Sequence, residues 1–275
     1  MQQLKELLKN KLTKKQLRLM PSSFDIVGDI LIFADFPDEL HKKEKLIAKT
    51  ILNTLKNVKV IAKKTGKYAG KFRTPKIKII AGQNRKETTY KENNVSLKLH
   101  IEKVYFSPRL GNERKRIANL VQANEKILVM FSGCSPYPCV IARNAKPKEI
   151  IGVEINPIAH KYALVNVRQN KLTNVKLYLG DVRKVVPKLK KKFDRILMPL
   201  PKGAENFLDV ALQAARKGTI IHFYDFLPEN EFDLAKQKIT GACIKLRKKV
   251  IITNIIKCGR FSPSVFRICV DFEVI

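Results

Sequence analysis

Acidic residues stand where apolar runs of this sequence stop or are about to begin. Glu113 lies in Phe106-Ser107-Pro108-Arg109-Leu110-Gly111-Asn112-Glu113-Arg114, ahead of the run Ile127–Phe131. Glu154 closes the run Ile150–Ile155 within Gly152-Val153-Glu154-Ile155-Asn156-Pro157, and Asp181 follows Val175–Leu179 within Gly180-Asp181-Val182-Arg183. A carboxylate at the end of such a strand can accept two hydrogen bonds from vicinal ribose hydroxyls. Asp181 can accept from an adenine amino group. The plainer alternative for either acid is a helix N-cap or a solvated loop position. The turn after the first run, Phe131-Ser132-Gly133-Cys134-Ser135-Pro136, carries one glycine and not G-x-G-x-x-G, which disfavours a dinucleotide. No G-x-x-x-x-G-K-[ST] occurs either. A nucleoside without a pyrophosphate, held by carboxylates, points to S-adenosylmethionine.

The fourth run, Arg195–Met198, leads into Pro199-Leu200-Pro201. Two prolines fix the backbone and remove two donors, which leaves carbonyls free to face a ligand. Pro201 alone suits the first turn of a helix. Pro199 occupies the strand end that faces the transferable group.

These residues need elements to hold them. From about residue 113 the runs at 127–131, 150–155, 175–179, 195–198 and 219–223 alternate with helical patterns at 138–145, 157–170, 202–217 and 229–239. Short buried strands alternating with helices imply a parallel sheet covered on both faces. Residues 242–256 and 265–274 follow one another without a helix and predict a closing antiparallel hairpin. The fold class expected is α/β, a Rossmann-like class I methyltransferase sheet preceded by a small α+β domain. Ahead of it, residues 1–20 show helical spacing with a basic face and stop at Pro21. Residues 24–33 read as a strand with a turn near Gly28, 38–55 as a helix, and 58–63, 76–81 and 95–104 as strands. The expected organisation is a basic helix over 1–20, an α+β domain over 21–104 and a catalytic domain over 105–275.

The 275 residues include 55 Lys and Arg against 24 Asp and Glu, a formal charge of +31, and 45% of them are apolar. That is enough for a sizeable core and argues against a disordered basic tail. So large a positive charge fits a polyanion, whose condensed counterions are released on binding; a Lys-rich surface from composition or thermal adaptation is the alternative. No apolar run reaches the roughly 18 residues of a membrane span. The first residues lack the apolar stretch of a secretion signal. The five cysteines, without a C-x-x-C pair, fit reduced thiols in a cytoplasmic protein and no metal site.

The motifs together resemble the archaeal and eukaryotic tRNA guanine-37 N1-methyltransferases, a class I S-adenosylmethionine family. The matching segments are residues 23–30, 106–114, 154–157, 180–183 and 198–201, and the resemblance runs from about residue 20 onward. Most specific is S-P-R-L-x-x-E-R, which neither helix nor strand periodicity demands. The resemblance implies Glu113 as general base for a weakly acidic ring N–H, with an apolar nucleobase pocket raising a carboxylate's proton affinity. It implies Arg73 orienting the base and stabilising charge on guanine O6, with Pro199 and Pro201 completing the catalytic set. Cofactor contacts fall to Phe106, Phe131, Glu154, Asp181, Val182 and Pro199. Tyr105, Arg109 and Arg114 would meet the substrate. Taken alone, Glu113 reads equally as a first-turn glutamate capped by Asn112, Arg109 or Arg114 as its ion-pair partner, and Tyr105 or Phe106 as core.

Two departures narrow the reading. Family members usually carry Asn-Leu-Pro where this chain has Pro199-Leu200-Pro201, and Pro-Leu-Pro looks like the archaeal branch of the wyosine pathway, which implies N1 methylation of guanosine-37 and C7 methylation of 4-demethylwyosine in phenylalanine tRNA. The chain starts near where the second domain of most archaeal members would, so recognition of the tRNA elbow by an extra domain is not expected. Val129-Met130-Phe131 also lacks the family's usual Asp before Met-Phe, which removes one electrostatic contact near the sulfonium. A monomer acting on the anticodon stem-loop is expected. The rivals are the aminocarboxypropyl transferase of the same pathway and a non-catalytic RNA-binding protein.

Overall fold

The computed structural model describes residues 2–21, 23–66 and 70–275. They form two compact units, residues 1–91 with 96–108, and residues 92–95 with 109–275.

In the first unit, residues 1–20 are two short helices, α1 (Gln2–Leu8) and α2 (Lys14–Leu19). Thr13 ends the break by capping α2 reciprocally with Gln16. They do not stand apart as a basic arm. Leu4, Leu8, Leu12 and Met20 are buried in one core with Leu31, Phe33, Ile47, Ile51 and Ile61. The segment 24–33 is a hairpin of β1 (Phe24–Val27) and β2 (Ile30–Phe33), continued by β3 (Val60–Lys64) and β4 (Ile77–Gly82). Gly28 turns the hairpin at φ +60°, and a Cβ there would lie 2.2 Å from Thr88 Oγ1. The predicted helix 38–55 begins as a 3-10 turn and becomes α3 (Glu44–Thr54). A two-stranded ribbon, β5 (Glu87–Glu92) and β6 (Val95–His100), turns through Asn93 and Asn94, both left-handed. The polar run Glu87-Thr88-Thr89-Tyr90-Lys91-Glu92 hid β5 from a periodicity reading.

The second unit opens with α4 (Gly111–Leu120) and continues as β7 (Lys126–Met130), α5 (Pro136–Asn144), β8 (Glu149–Glu154), α6 (Pro157–Gln169), β9 (Val175–Leu179), α7 (Val182–Lys188) and β10 (Phe193–Met198). Then come α8 (Leu208–Ala214), β11 (Ala215–Pro228), α9 (Asp233–Lys245), β12 (Val250–Arg260) and β13 (Val265–Val274). The sheet order is β12-β13-β11-β10-β7-β8-β9. The strands β7 to β11 run parallel, and β13 is antiparallel to both its neighbours. The chain reverses its winding between β10 and β7, the switch point where such sheets bind ligands. Three elements differ from expectation. The helix over 202–217 shrinks, because Gly203 at φ +88° delays it and Ala215 is already extended. Helix α9 runs on through Ala242, so the last hairpin begins at Val250. Helix α7 was not expected, being short and containing Pro187.

Candidate active site

The strand register lines up the expected site. Met130 stands opposite Val153, Glu154 opposite Leu179, and Met198 opposite Phe223. Phe131, Glu154, Asp181 and Pro199 therefore share the carboxyl rim. The turn after β7 holds Phe131, Gly133 and Ser135 at φ between +57 and +65°, a costly conformation for the two that are not glycine. What holds it is Glu154, which accepts from Gly133 N through Oε2 and from Asn156 N through Oε1, both at 2.7 Å. Burial pushes the Glu154 carboxyl up, against those backbone bonds. Asn156 caps α6, accepting from Ile158 N and Ala159 N. Asp181 caps α7 by accepting from Arg183 N at 2.9 Å, so the helix-cap alternative is realised for one of its oxygens. Val182 begins that helix and is buried. Phe131 packs edge-on against Phe207, with ring centroids 5.0 Å apart.

The turn bears on which ligand fits. Ser132 Oγ and Ser135 Oγ are buried without a hydrogen-bond partner, a condition folded proteins seldom leave uncompensated. A strained turn beside the Glu154 carboxylate, on a rim that Asp181 shares, suits a ligand rich in hydroxyl and amino groups and repels a pyrophosphate.

Glu113 lies in the first turn of α4 and is 5% exposed. Arg116 grips it bidentately, Nε to Oε2 and Nη2 to Oε1, each at 2.7 Å. The Tyr224 hydroxyl donates to Oε1 at 2.6 Å and is followed by Tyr137 at 3.2 Å. Since Phe223 faces Met198, Tyr224 is level with Pro199, and Glu113 is tied to the rim. Arg116 also reaches Asp271 Oδ2 at 2.7 Å, and Asp271 Oδ1 meets His222 Nδ1 at 2.6 Å. On the far side of the ring, His222 Nε2 faces Arg195 at 2.8 Å, and Arg195 grips Glu125. Arg195 can only donate, so His222 accepts at Nε2 and donates from Nδ1. Burial foremost holds His222 below its ordinary value, and Asp271 opposes it. Burial would raise Asp271, but His222 and then Arg116 hold it well below the carboxylate range. His222, Cys269 and Asp271 present ligand atoms within 4.8 Å of one another, yet Arg116 and Arg195 occupy that space and repel a cation.

These observations correct three expectations. The partner of Glu113 is Arg116, and its surroundings are ionic and hydroxylic, not apolar. Leu110, not Asn112, is the residue before the helix. Arg114 is 1% exposed and forked onto Glu92 through Nε and through Nη2, the latter at 2.6 Å, so it holds the ribbon tip and is not presented to a substrate. Arg109 is exposed, in a 3-10 turn at Pro108–Leu110. Pro199 and Pro201 are half-buried, and Leu200 N folds back onto Met198 O at 2.7 Å. Arg73, Tyr105 and Phe106 belong to the first unit. Arg73 sits at φ +49°, and Phe106 packs edge-on against Tyr90 at 5.2 Å. Sequence reasoning passed over Arg116, Tyr224, His222 and Asp271. The available signal was polar residues interrupting the apolar strands Ile220-Ile221-His222-Phe223 and Cys269-Val270-Asp271-Phe272. In the first unit it also passed over Arg85, which forks onto Asp29 beside Thr88.

Sheet order, terminal antiparallel strand and acidic rim define a class I methyltransferase fold of the kind that uses S-adenosylmethionine. The TRM5/TYW2 methyltransferase domain matches residues 88–251, and the TYW2 N-terminal domain matches residues 4–85. The chain belongs to the TRM5/TYW2 methyltransferase family. It is 38% identical to the tRNA (guanine(37)-N(1))-methyltransferase Trm5b of Pyrococcus abyssi over 94% of this chain and 76% of that one. It is 37% identical to the tRNA (guanine(37)-N(1))/4-demethylwyosine(37)-methyltransferase Taw22 of Nanoarchaeum equitans, over 82% of this chain and 91% of the other. Among solved structures, the complex of aTrm5 and tRNALeu superimposes with a TM-score of 0.86 and 32% identity, over 99% of this chain and 78% of that one.

Proposed function

We propose that this protein is an S-adenosylmethionine-dependent tRNA methyltransferase acting at position 37 of the anticodon loop, methylating N1 of guanosine and C7 of 4-demethylwyosine in phenylalanine tRNA, as a cytoplasmic monomer. The observation that carries the reading is Glu113, a buried carboxylate held level with Pro199 at the carboxyl rim. When bound, the cofactor supplies an electrophilic methyl group on a sulfonium. Glu154 would hold the ribose hydroxyls and Asp181 the adenine amino group, with Phe131 and Val182 against the ring.

Arg116 and Tyr224 do different work on Glu113. Arg116 is a fixed donor and sets the direction of the carboxylate. Tyr224 has a hydroxyl that can turn from donor to acceptor, so it can release Oε1 to take the proton leaving guanine N1, with the Tyr224 hydrogen passing to Tyr137 if that hydroxyl turns as well. Arg109, exposed ahead of α4, would meet the base or its phosphates. Pro199, lacking the amide of the usual asparagine, would make room for the tricyclic base.

Incubating the protein with S-adenosylmethionine and phenylalanine tRNA carrying either guanosine or 4-demethylwyosine at position 37, then weighing the nucleosides, tests this. The expected gain is one methyl group; an aminocarboxypropyl gain would assign the related transferase. Glu113→Gln should abolish N1 methylation while keeping cofactor affinity by calorimetry, and unimpaired turnover would reject the base assignment.

A further inference from the structure

The β12–β13 turn carries an arrangement that methyl transfer does not use. Its tip, Lys257-Cys258-Gly259-Arg260-Phe261-Ser262-Pro263-Ser264-Val265-Phe266-Arg267, holds three basic residues and no acidic one. Phe261 N and Ser262 N donate to Val265 O at 2.8 and 3.2 Å, which gives the tip a defined shape. Phe261 is 62% exposed and stacks on Phe226 of β11, with centroids 4.2 Å apart and planes 33° apart. The Arg267 guanidinium lies 5.0 Å from the Phe226 ring. Arg260 and Lys257 lie 5.4 and 4.9 Å from the Phe266 ring. The surface is thus aromatic and cationic at once.

That pairing selects the partner. An apolar protein face would have to bury the cations. A single-stranded polyanion brings phosphates to them and a π face to Phe261. The position agrees, because Pro228 pairs with Val265 and sets the tip at the same edge of the sheet as Phe131 and Pro199. Cys258, three residues before Phe261, has its thiol pushed up by burial first and then by the neighbouring Glu113 carboxylate.

We infer that the β12–β13 tip docks single-stranded RNA, with Phe261 stacking on an unpaired base and Arg260 meeting a flanking phosphate. Lys257 is partly neutralised by Glu229, so its share is smaller. The inference rests on the tRNA reading above, and the experiment separates the two. Using the full chain, the affinities for an anticodon stem-loop RNA and for a blunt RNA duplex are measured by fluorescence anisotropy, with cofactor affinity followed by calorimetry. Phe261→Ala should weaken stem-loop binding roughly tenfold, Phe261→Tyr should restore it, and duplex and cofactor binding should stay as they were. Wild-type protein that binds the stem-loop with no more than about a twofold effect of Phe261→Ala overturns the inference and leaves the tRNA reading standing. Equal weakening for stem-loop and duplex overturns base stacking. Wild-type protein that binds neither RNA overturns the tRNA reading itself.

Discussion

The two oxygens of Glu113 are not equivalent, and the difference is testable at the level of single atoms. Oε1 has a partner that can reverse its role, the Tyr224 hydroxyl. Tyr224→Phe should lower kcat by roughly tenfold, the worth of one hydrogen bond to a charged group, without changing KM for tRNA. A loss carried by KM for tRNA with kcat unchanged would make Tyr224 mere packing. At this scale the sequence was readable where position alone carries meaning. Glu154 and Asp181 follow apolar runs, and Glu113 sits in an unusual motif. The brace on Glu113 was not readable, because Arg116 and Asp271 are 155 residues apart and only the folded sheet joins them.

Among the elements, β8 is tightly constrained by what surrounds it. A Cβ on Gly152 would lie 2.7 Å from Leu177 Cδ2 and 3.1 Å from Ser132 Oγ, so Gly152→Ala must displace a neighbouring side chain on β9 or in the turn after β7. The expected cost is about 1–3 kcal/mol in denaturant unfolding. Cofactor affinity measured by calorimetry should fall with it, since Ser132 belongs to the turn that Glu154 holds. Strands with strong apolar runs were legible to within a residue or two, as β7, β8 and β13 show. Elements lacking a period were not. Strand β5 is polar on both faces, and the last turns of α9, beyond the expected 229–239, hide behind Gly241 and an apolar run.

Taken whole, the molecule should be sensitive to acid for a reason that lies inside the sheet. His222 is neutral when folded because burial holds its pKa below the ordinary 6.5, and the unfolded chain binds that proton as pH falls below about 6.5. Stability present above that value is therefore lost on acidification. Asp271, held below its ordinary 3.8 by His222 and Arg116 against burial, adds a second loss below about pH 4. Thermal scans should show the unfolding midpoint falling through both windows, and His222→Asn should flatten the upper one. His100 and His160, also lowered by burial, keep part of that slope. Strand β13 enters between β11 and β12 and carries Asp271 with it. The Asp271 brace on Arg116, and through it on the glutamate we propose as proton acceptor, is thus complete only once that strand has slotted home. On that proposal a half-assembled chain offers a base without its brace, so full competence to methylate doubles as a certificate that the sheet is finished.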